Sequence, residues 1–354
     1  MKLEITKSLT LPTAPLGLAV SQDGTRLFAA CMDGGLYQCD PAGGEPVRFD
    51  DAHGSYASGC VLLPGDQTVI SAGYDGQLLW HDVAKRAAFR RVQAHSFWSW
   101  QIALSPDARR IATVTGQYLA GGEKYEPAPA AEPTVRVFDT LTGDPLHAFA
   151  DLSPPVLSTA FSPDGNFLAA ANMMGDVLVW NLPENRPAAR FTTPDFTSWG
   201  IIKSPHYCGG IYALAFSPDG SSLLCAGMGP MTDPMAGNGK QTWQRWDWRA
   251  SPPALLSQIR DDQRGTGLME TLAHLPDGSA FLMAGRQAQG TWNAALFSAT
   301  DGTLAASLDT KSRVTRARFS PDGKSLFLAA TSGQPNRENG QWRPYGKIHV
   351  VAVA

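Results

Sequence analysis

The chain has 354 residues, 43% hydrophobic and 17% charged, with 29 Lys and Arg against 32 Asp and Glu for a formal net charge of −3. The two signs are interspersed, so no basic stripe points to nucleic acid and no acidic tail to a basic partner. Five cysteines, Cys31, Cys39, Cys60, Cys208 and Cys225, lack C-x-x-C or C-x-x-C-H spacing, which sets aside zinc-ribbon and haem-attachment sites and leaves them as small buried hydrophobes.

The chain opens on Met1-Lys2-Leu3-Glu4-Ile5-Thr6-Lys7, without an apolar leader core, and no stretch is long enough to span a bilayer. A soluble, cytoplasmic protein with no membrane contact is expected. Leu3, Ile5 and Leu9 mark an extended segment ahead of the first repeat. From there the same turn recurs as Gln22-Asp23-Gly24, Pro64-Gly65, Pro106-Asp107, Pro163-Asp164-Gly165, Pro218-Asp219-Gly220, Pro276-Asp277-Gly278 and Pro321-Asp322-Gly323. The intervals between positions 23, 65, 107, 164, 219, 277 and 322 are 42, 42, 57, 55, 58 and 45 residues. Around the fourth turn, Phe161-Ser162 leads into it, Phe167 to Ala171 follows, and Gly175 to Asn181 closes the pattern. This is strand, turn, strand, turn, strand: Pro presets φ, Gly tolerates positive φ, and the flanks are aromatic, β-branched or small. One such unit cannot bury both faces, so copies must stack, and the shorter intervals match the period of a four-stranded propeller blade, about 40–45 residues. Lys347 to Val351 reads as the third strand of a last blade, and the N-terminal segment most simply supplies the fourth, covering two sheet edges.

On these residues the sequence resembles the WD-repeat β-propeller family, whose repeat ends in Trp-Asp and carries a Gly-His pair before its first strand. Trp246-Asp247 matches that ending literally, Trp80-His81-Asp82 and Trp180-Asn181 nearly, and Phe138-Asp139 conservatively. The resemblance covers the whole chain. It implies an all-β, seven-bladed β-propeller of four-stranded antiparallel blades, the last closed by the N-terminal strand, in a single domain over 1–354. The family's hydrogen-bonded chain of His, Ser or Thr, Asp and Trp would fall on His53, Ser71, Asp75 and Trp80. The third repeat keeps His95 and Thr113 but has Phe138 for Trp. The fourth to seventh have no matching His, so glycine and hydrophobic packing are expected to hold them.

Extra residues enter at 116–133, 193–210, 228–240 and 332–345. Each falls between second and third strands or between an outer strand and the next repeat, and in an antiparallel blade both kinds of loop leave from the same side. Long loops on a rigid scaffold are where binding surfaces are built. Beneath them, alignment of the first strands places Tyr56, Trp98 and Arg313 in one register and Trp100, Tyr212 and Glu270 two residues further in. With Trp199, Tyr207 and Trp342 from the insertions, these form the candidate binding surface, an aromatic floor with Glu270 and Arg313 as charged anchors. The competing reading has the tryptophans simply covering the insertions from beneath.

No catalytic constellation assembles from the seven histidines, no cofactor is called for, and the one soft-metal grouping, Met228, Met231 and Met235 with His206 and Cys208, rests on spacing alone. The sequence is therefore read as a non-catalytic scaffold, a monomer on its own, that binds a protein or peptide on the face carrying the insertions. The alternative is a lactonase- or lyase-like propeller enzyme with its site at the channel mouth.

Overall fold

A computed structural model of the chain describes residues 1–116, 131–197, 209–233, 238–333, 337–338, 341–342 and 344–354. Each of the seven repeats opens on the same hairpin turn. The backbone N–H of Ser21, Leu63, Ser105, Ser162, Ser217, Leu275 and Ser320 donates to the carbonyl five residues on, and the N–H three residues on donates back to each of them. That third residue has φ between 56° and 73° in all seven, and it is glycine in five, Asp66 and Ala108 being the exceptions. Where the first residue is serine, its hydroxyl donates to the Asp two residues on at 2.5–2.6 Å, as in Ser162 to Asp164, and accepts the backbone N–H five residues on. The Ser and the Asp thus lock the turn. The proline serves packing: Gly323 backs onto Pro276 and Gly220 onto Pro163, where an added methyl would lie 3.3 and 3.4 Å from the rings.

The chain divides into two compact units. The first comprises 1–94, 273–286 and 291–354. It begins with β1 (Leu3–Leu11), β2 (Pro15–Val20), β3 (Leu27–Cys31), β4 (Leu36–Cys39) and β5 (Val47–Arg48), then β6 (Ala57–Leu62), β7 (Thr68–Gly73), β8 (Gln77–Asp82) and β9 (Ala87–Gln93). β2 to β5 and β6 to β9 are four-stranded antiparallel sheets in sequence order.

The second unit, 95–272 with 287–290, contains β10 (Ser99–Leu104), β11 (Arg110–Thr115), β12 (Val135–Asp139) and β13 (Pro145–Phe149), followed by β14 (Val156–Phe161), β15 (Phe167–Asn172), β16 (Asp176–Asn181) and β17 (Arg186–Thr192). It continues with β18 (Gly210–Phe216), β19 (Leu223–Asp233), β20 (Asn238–Asp247), β21 (Ala254–Gln258) and β22 (Thr266–His274), whose last residues fall in the first unit. β10 to β13, β14 to β17 and β18 to β21 pair as three further antiparallel blades, and Lys240 of β20 bridges to Thr266 of β22. Neighbouring blades meet through apolar faces: Val135, Val137 and Phe149 pack with Leu168, Ala170 and Trp180, and Ala169 and Val177 with Phe196, Ile211 and Trp248.

The chain then adds β23 (Ala280–Gln289), β24 (Ala294–Ser298), β25 (Leu304–Leu308), β26 (Arg313–Phe319), β27 (Ser325–Thr331), a short pair β28 (Arg337–Glu338) and β29 (Gln341–Trp342), and β30 (Gly346–Val353). The N-terminal strand closes the last blade as expected. β1 pairs antiparallel with β30 from Leu3↔Val353 to Leu11↔Gly346, and the sheet runs β1-β30-β27-β26. Leu3, Leu9 and Leu11 are buried in it while most residues between them face outward, the alternation of a strand with one packed face. Among the described residues no helix is long and apolar enough to cross a membrane.

One irregularity repeats. In six blades the pairing of the first strand with the second skips one residue: Leu16 in β2, Ser58 in β6, Trp100 in β10, Leu157 in β14, Tyr212 in β18 and Thr315 in β26. Each sits five residues before the turn residue named above. A bulge leaves one residue out of the ladder and re-aims its side chain.

The side-chain network of the second repeat forms with one correction. His53 Nδ1 lies 3.0 Å from Asp75 Oδ1 and His53 Nε2 lies 2.8 Å from Ser71 Oγ, but the next link is His81 Nε2 at 2.9 Å from that hydroxyl, and not Trp80. The reason is register: Ser71 pairs with Leu79 and Ile70 with Trp80, so alternation turns Trp80 to the opposite face. Burial pushes the Asp75 pKa up, but the His53 bond and the N–H groups of Gly54 and Gln77 outweigh it and hold the carboxyl below its usual range. In the third repeat the Thr113 hydroxyl pairs with Ser99. Later repeats are also held by polar groups, against expectation. The Asn172 amide donates to Ser153 O and its oxygen accepts from Met174 N and Asp176 N, and Asn293 bridges Gly285 O and Thr310 Oγ1. In the last blade His349 Nδ1 meets Ser8 Oγ at 2.7 Å. An amide or a differently placed imidazole thus supplies hydrogen bonds in blades that lack the family's His.

Candidate functional site

Three consecutive bulges of the second unit converge. Leu157 is buried with Met173 and Met174, and Trp100 and Tyr212 pack against that cluster, half-buried. Trp98 sits edge-on to Trp100, with ring centroids 5.5 Å apart and planes at 75°, and Phe97 stacks on Trp98 at 4.8 Å. The group steps from buried to open, Trp98 being 39% exposed.

The backbone around the cluster is built for close approach. Trp100 Nε1 donates to Gly116 O at 2.9 Å and the Thr115 hydroxyl donates to Trp98 O at 2.7 Å, so the Trp100 ring and the Trp98 backbone are fixed to the strand end from which the first insertion departs. Gly116 has φ +144° and abuts Pro154, and Gly210 has φ +117°, with a Cβ there falling 2.8 Å from the Leu157 side chain. At both places a side chain would be strained, and at Gly210 it would displace the cluster.

Of the residues expected at the site, Trp98, Trp100 and Tyr212 are brought to this cluster, and Glu270 is half-buried on β22 of the same unit. Tyr56 and Arg313 belong to the first unit: Tyr56 is 42% exposed with Tyr74 at 5.5 Å between centroids, and Arg313 is exposed at the start of β26. Trp199, Tyr207 and the Trp342 side chain lie outside the described residues. So do His206, Cys208 and Met235 of the soft-metal grouping, whereas Met228 is buried in β19 and Met231 half-buried there. Among the described residues no three His, Cys, Asp or Glu side chains gather closely enough to hold a metal ion. Leu157, Met173, Met174 and Phe97 were not anticipated. Counting five residues back from Ser162 would have found Leu157, since the same count from Ser105 and Ser217 gives Trp100 and Tyr212.

A family model for the WD domain, G-beta repeat, matches residues 143–181 and 200–229. Those two segments match the WD repeat. It is also 25% identical over 251 residues to Telomerase protein component 1 of Mus musculus, an alignment that takes in 62% of this chain and 9% of that protein. The chain thus spans less than a tenth of the length of that relative. WD repeats serve in general as protein-interaction scaffolds. In the second repeat Ser71, His53 and Asp75 have the order of a hydrolytic relay, but Ser71 has no accessible surface, so no substrate carbonyl can reach its hydroxyl. The network is structural.

Proposed function

We propose that the protein is a non-catalytic scaffold that binds a protein or peptide through the second unit, on the side from which its long insertions leave. One observation carries the reading: three successive WD repeats give their bulged residue to a single apolar cluster whose outermost ring, Trp98, is 39% exposed. Large rigid aromatics with one polar atom dominate interface energetics because they bury much area at little entropic cost. In this reading Trp199 and Tyr207 extend the surface and Glu270 supplies a charge. The whole chain, 1–354, acts as one propeller domain and is monomeric without its partner.

A random peptide library displayed on phage and panned against the intact protein tests this. Enriched peptides should lose about 2 kcal/mol of affinity, roughly 30-fold, with Trp98→Ala or Trp100→Ala. They should bind Glu184→Ala, altered in the short loop after β16, as they bind the original. Peptides that bind Trp98→Ala undiminished, with its melting curve superimposed on the parent's, would refute the assignment.

A further inference from the structure

In the first strand of each repeat, the residue two before the turn serine or its equivalent is Ala19, Val61, Ala103, Ala160, Ala215 or Ala273 in six repeats and Arg318 in the seventh. A guanidinium therefore stands where every sister repeat has a small apolar group. Arg318 lies on β26 of the first unit with Ala317 in the core behind it, and by alternation Arg316 shares its side of the strand.

That strand is set against β2, where the Thr315 hydroxyl donates to Pro15 O at 2.5 Å, and β2 approaches β6 so closely that a Cβ on Gly17 would lie 2.5 Å from Gly59 Cα. Gly17 and Gly59 offer no side chain there. Arg318 Nη1 donates to Ala317 O at 2.9 Å, and no carboxylate pairs with it among the described residues. The ionisable neighbour that acts on it is Cys60, whose thiol burial pushes up to about 12 against the fields of Arg318 and Arg316, leaving it neutral. Burial also depresses the Arg318 pKa, yet the residue is only half-buried, and its remaining nitrogens are not among those sealed from solvent. A guanidinium has five donors in a planar fork that fits carboxylate and phosphate oxygens, and holding one half-buried without a counter-charge is costly.

We propose that Arg318, with Arg316 beside it, anchors a site for a small oxyanion, a carboxylate or phosphate, on the wall that β26, β2 and β6 form in the first unit. The site is independent of the aromatic cluster and of the partner proposed for it. Arg318→Ala restores the residue of the sister repeats, so the variant should fold and, in chloride alone, be at least as stable as the parent. Thermal unfolding of the full chain is measured in inorganic phosphate, in succinate and in chloride at equal ionic strength. The parent's Tm should rise by several degrees with phosphate or succinate, by mass action on the folded state, and the rise should vanish in Arg318→Ala and in Arg318→Gln. Which anion acts identifies the oxyanion. The proposal fails if neither anion raises the parent's Tm above its value in chloride, or if the variants respond as the parent does. Calorimetric titration of the parent with inorganic phosphate and with succinate gives a readout that does not depend on any variant folding, and absence of saturable heat with both would equally overturn it.

Discussion

Removing the Ser71 hydroxyl should cost more than any other single oxygen in the second repeat. The hydroxyl sits between two imidazoles, 2.8 Å from His53 Nε2 and 2.9 Å from His81 Nε2. Because burial holds the His81 pKa down at about 4, that ring is neutral at pH 7; the Asp75 carboxylate can only accept, so His53 Nδ1 donates to it, and in that tautomer Ser71 donates to His53 Nε2 and accepts from His81 Nε2. Ser71→Ala leaves one buried donor and one buried acceptor without partners in a place closed to water. Each costs about 1–3 kcal/mol, so the substitution should destabilise by roughly 2–6 kcal/mol. Ser58→Ala, which loses one hydroxyl bond to Ala72 O and strands no ring nitrogen, should cost about 1 kcal/mol. Urea unfolding followed by tryptophan fluorescence measures both, with the slope of the transition checked for equality. A Ser71→Ala midpoint no lower than that of Ser58→Ala would show that the chain of hydrogen bonds is not what holds the blade.

Deleting Met1 to Leu9 removes most of the β1 ladder with β30 and the buried Leu3 and Leu9, so the truncated protein should aggregate or melt far below the parent; an unchanged melting curve for a monomeric product would reject closure by β1. Gly73→Ala should cost as much as losing the network, since a Cβ there would lie 2.4 Å from His53 Nδ1, and circular dichroism melts of Gly73→Ala and His53→Ala should be alike. Stability should also fall as pH drops from about 6.5 towards 4. His81 and His349 are held to about 4 and His95 to about 3, in each case first by burial, so the unfolded chain takes up protons over that range that the folded chain refuses. Each histidine contributes a slope approaching 1.4 kcal/mol per pH unit there and none above about pH 7. Urea midpoints that stay level from pH 7 to 5 would contradict the burial of these rings.

The turns and the closing strand were legible in the sequence because each depends on local chemistry. Asp-Gly demands positive φ, and alternating Leu3 and Leu9 mark a strand with one packed face. Trp80 misled because its letter matches the family ending, whereas the register is fixed by the residue that caps the following turn. Asp82 Oδ1 accepts Lys85 N as Asn181 Oδ1 accepts Glu184 N, so the position before it, His81, is the one equivalent to Trp180. The aromatic cluster was half legible. Trp98 and Trp100 announce themselves, but Met173 and Met174 arrive through the hairpin of the next repeat, and no spacing within one repeat shows that. The amide networks of Asn172 and Asn293 stayed hidden because their partners are mostly backbone carbonyls and amides, which leave no trace in side-chain identity.

The recurring bulge separates what must stay the same from what is free to differ. A residue skipped by the ladder owes nothing to strand pairing, so its replacement leaves the backbone hydrogen bonds between the strands intact. The six occupants differ in their chemistry: two leucines, a serine, a tryptophan, a tyrosine and a threonine, while three positions further along alanine recurs in four of the six, as Ala19, Ala103, Ala160 and Ala215. Such a site can be rewritten one repeat at a time. A protein built this way can acquire a new ligand by point changes at a few addresses, with the fold as an invariant frame and the bulges as its vocabulary.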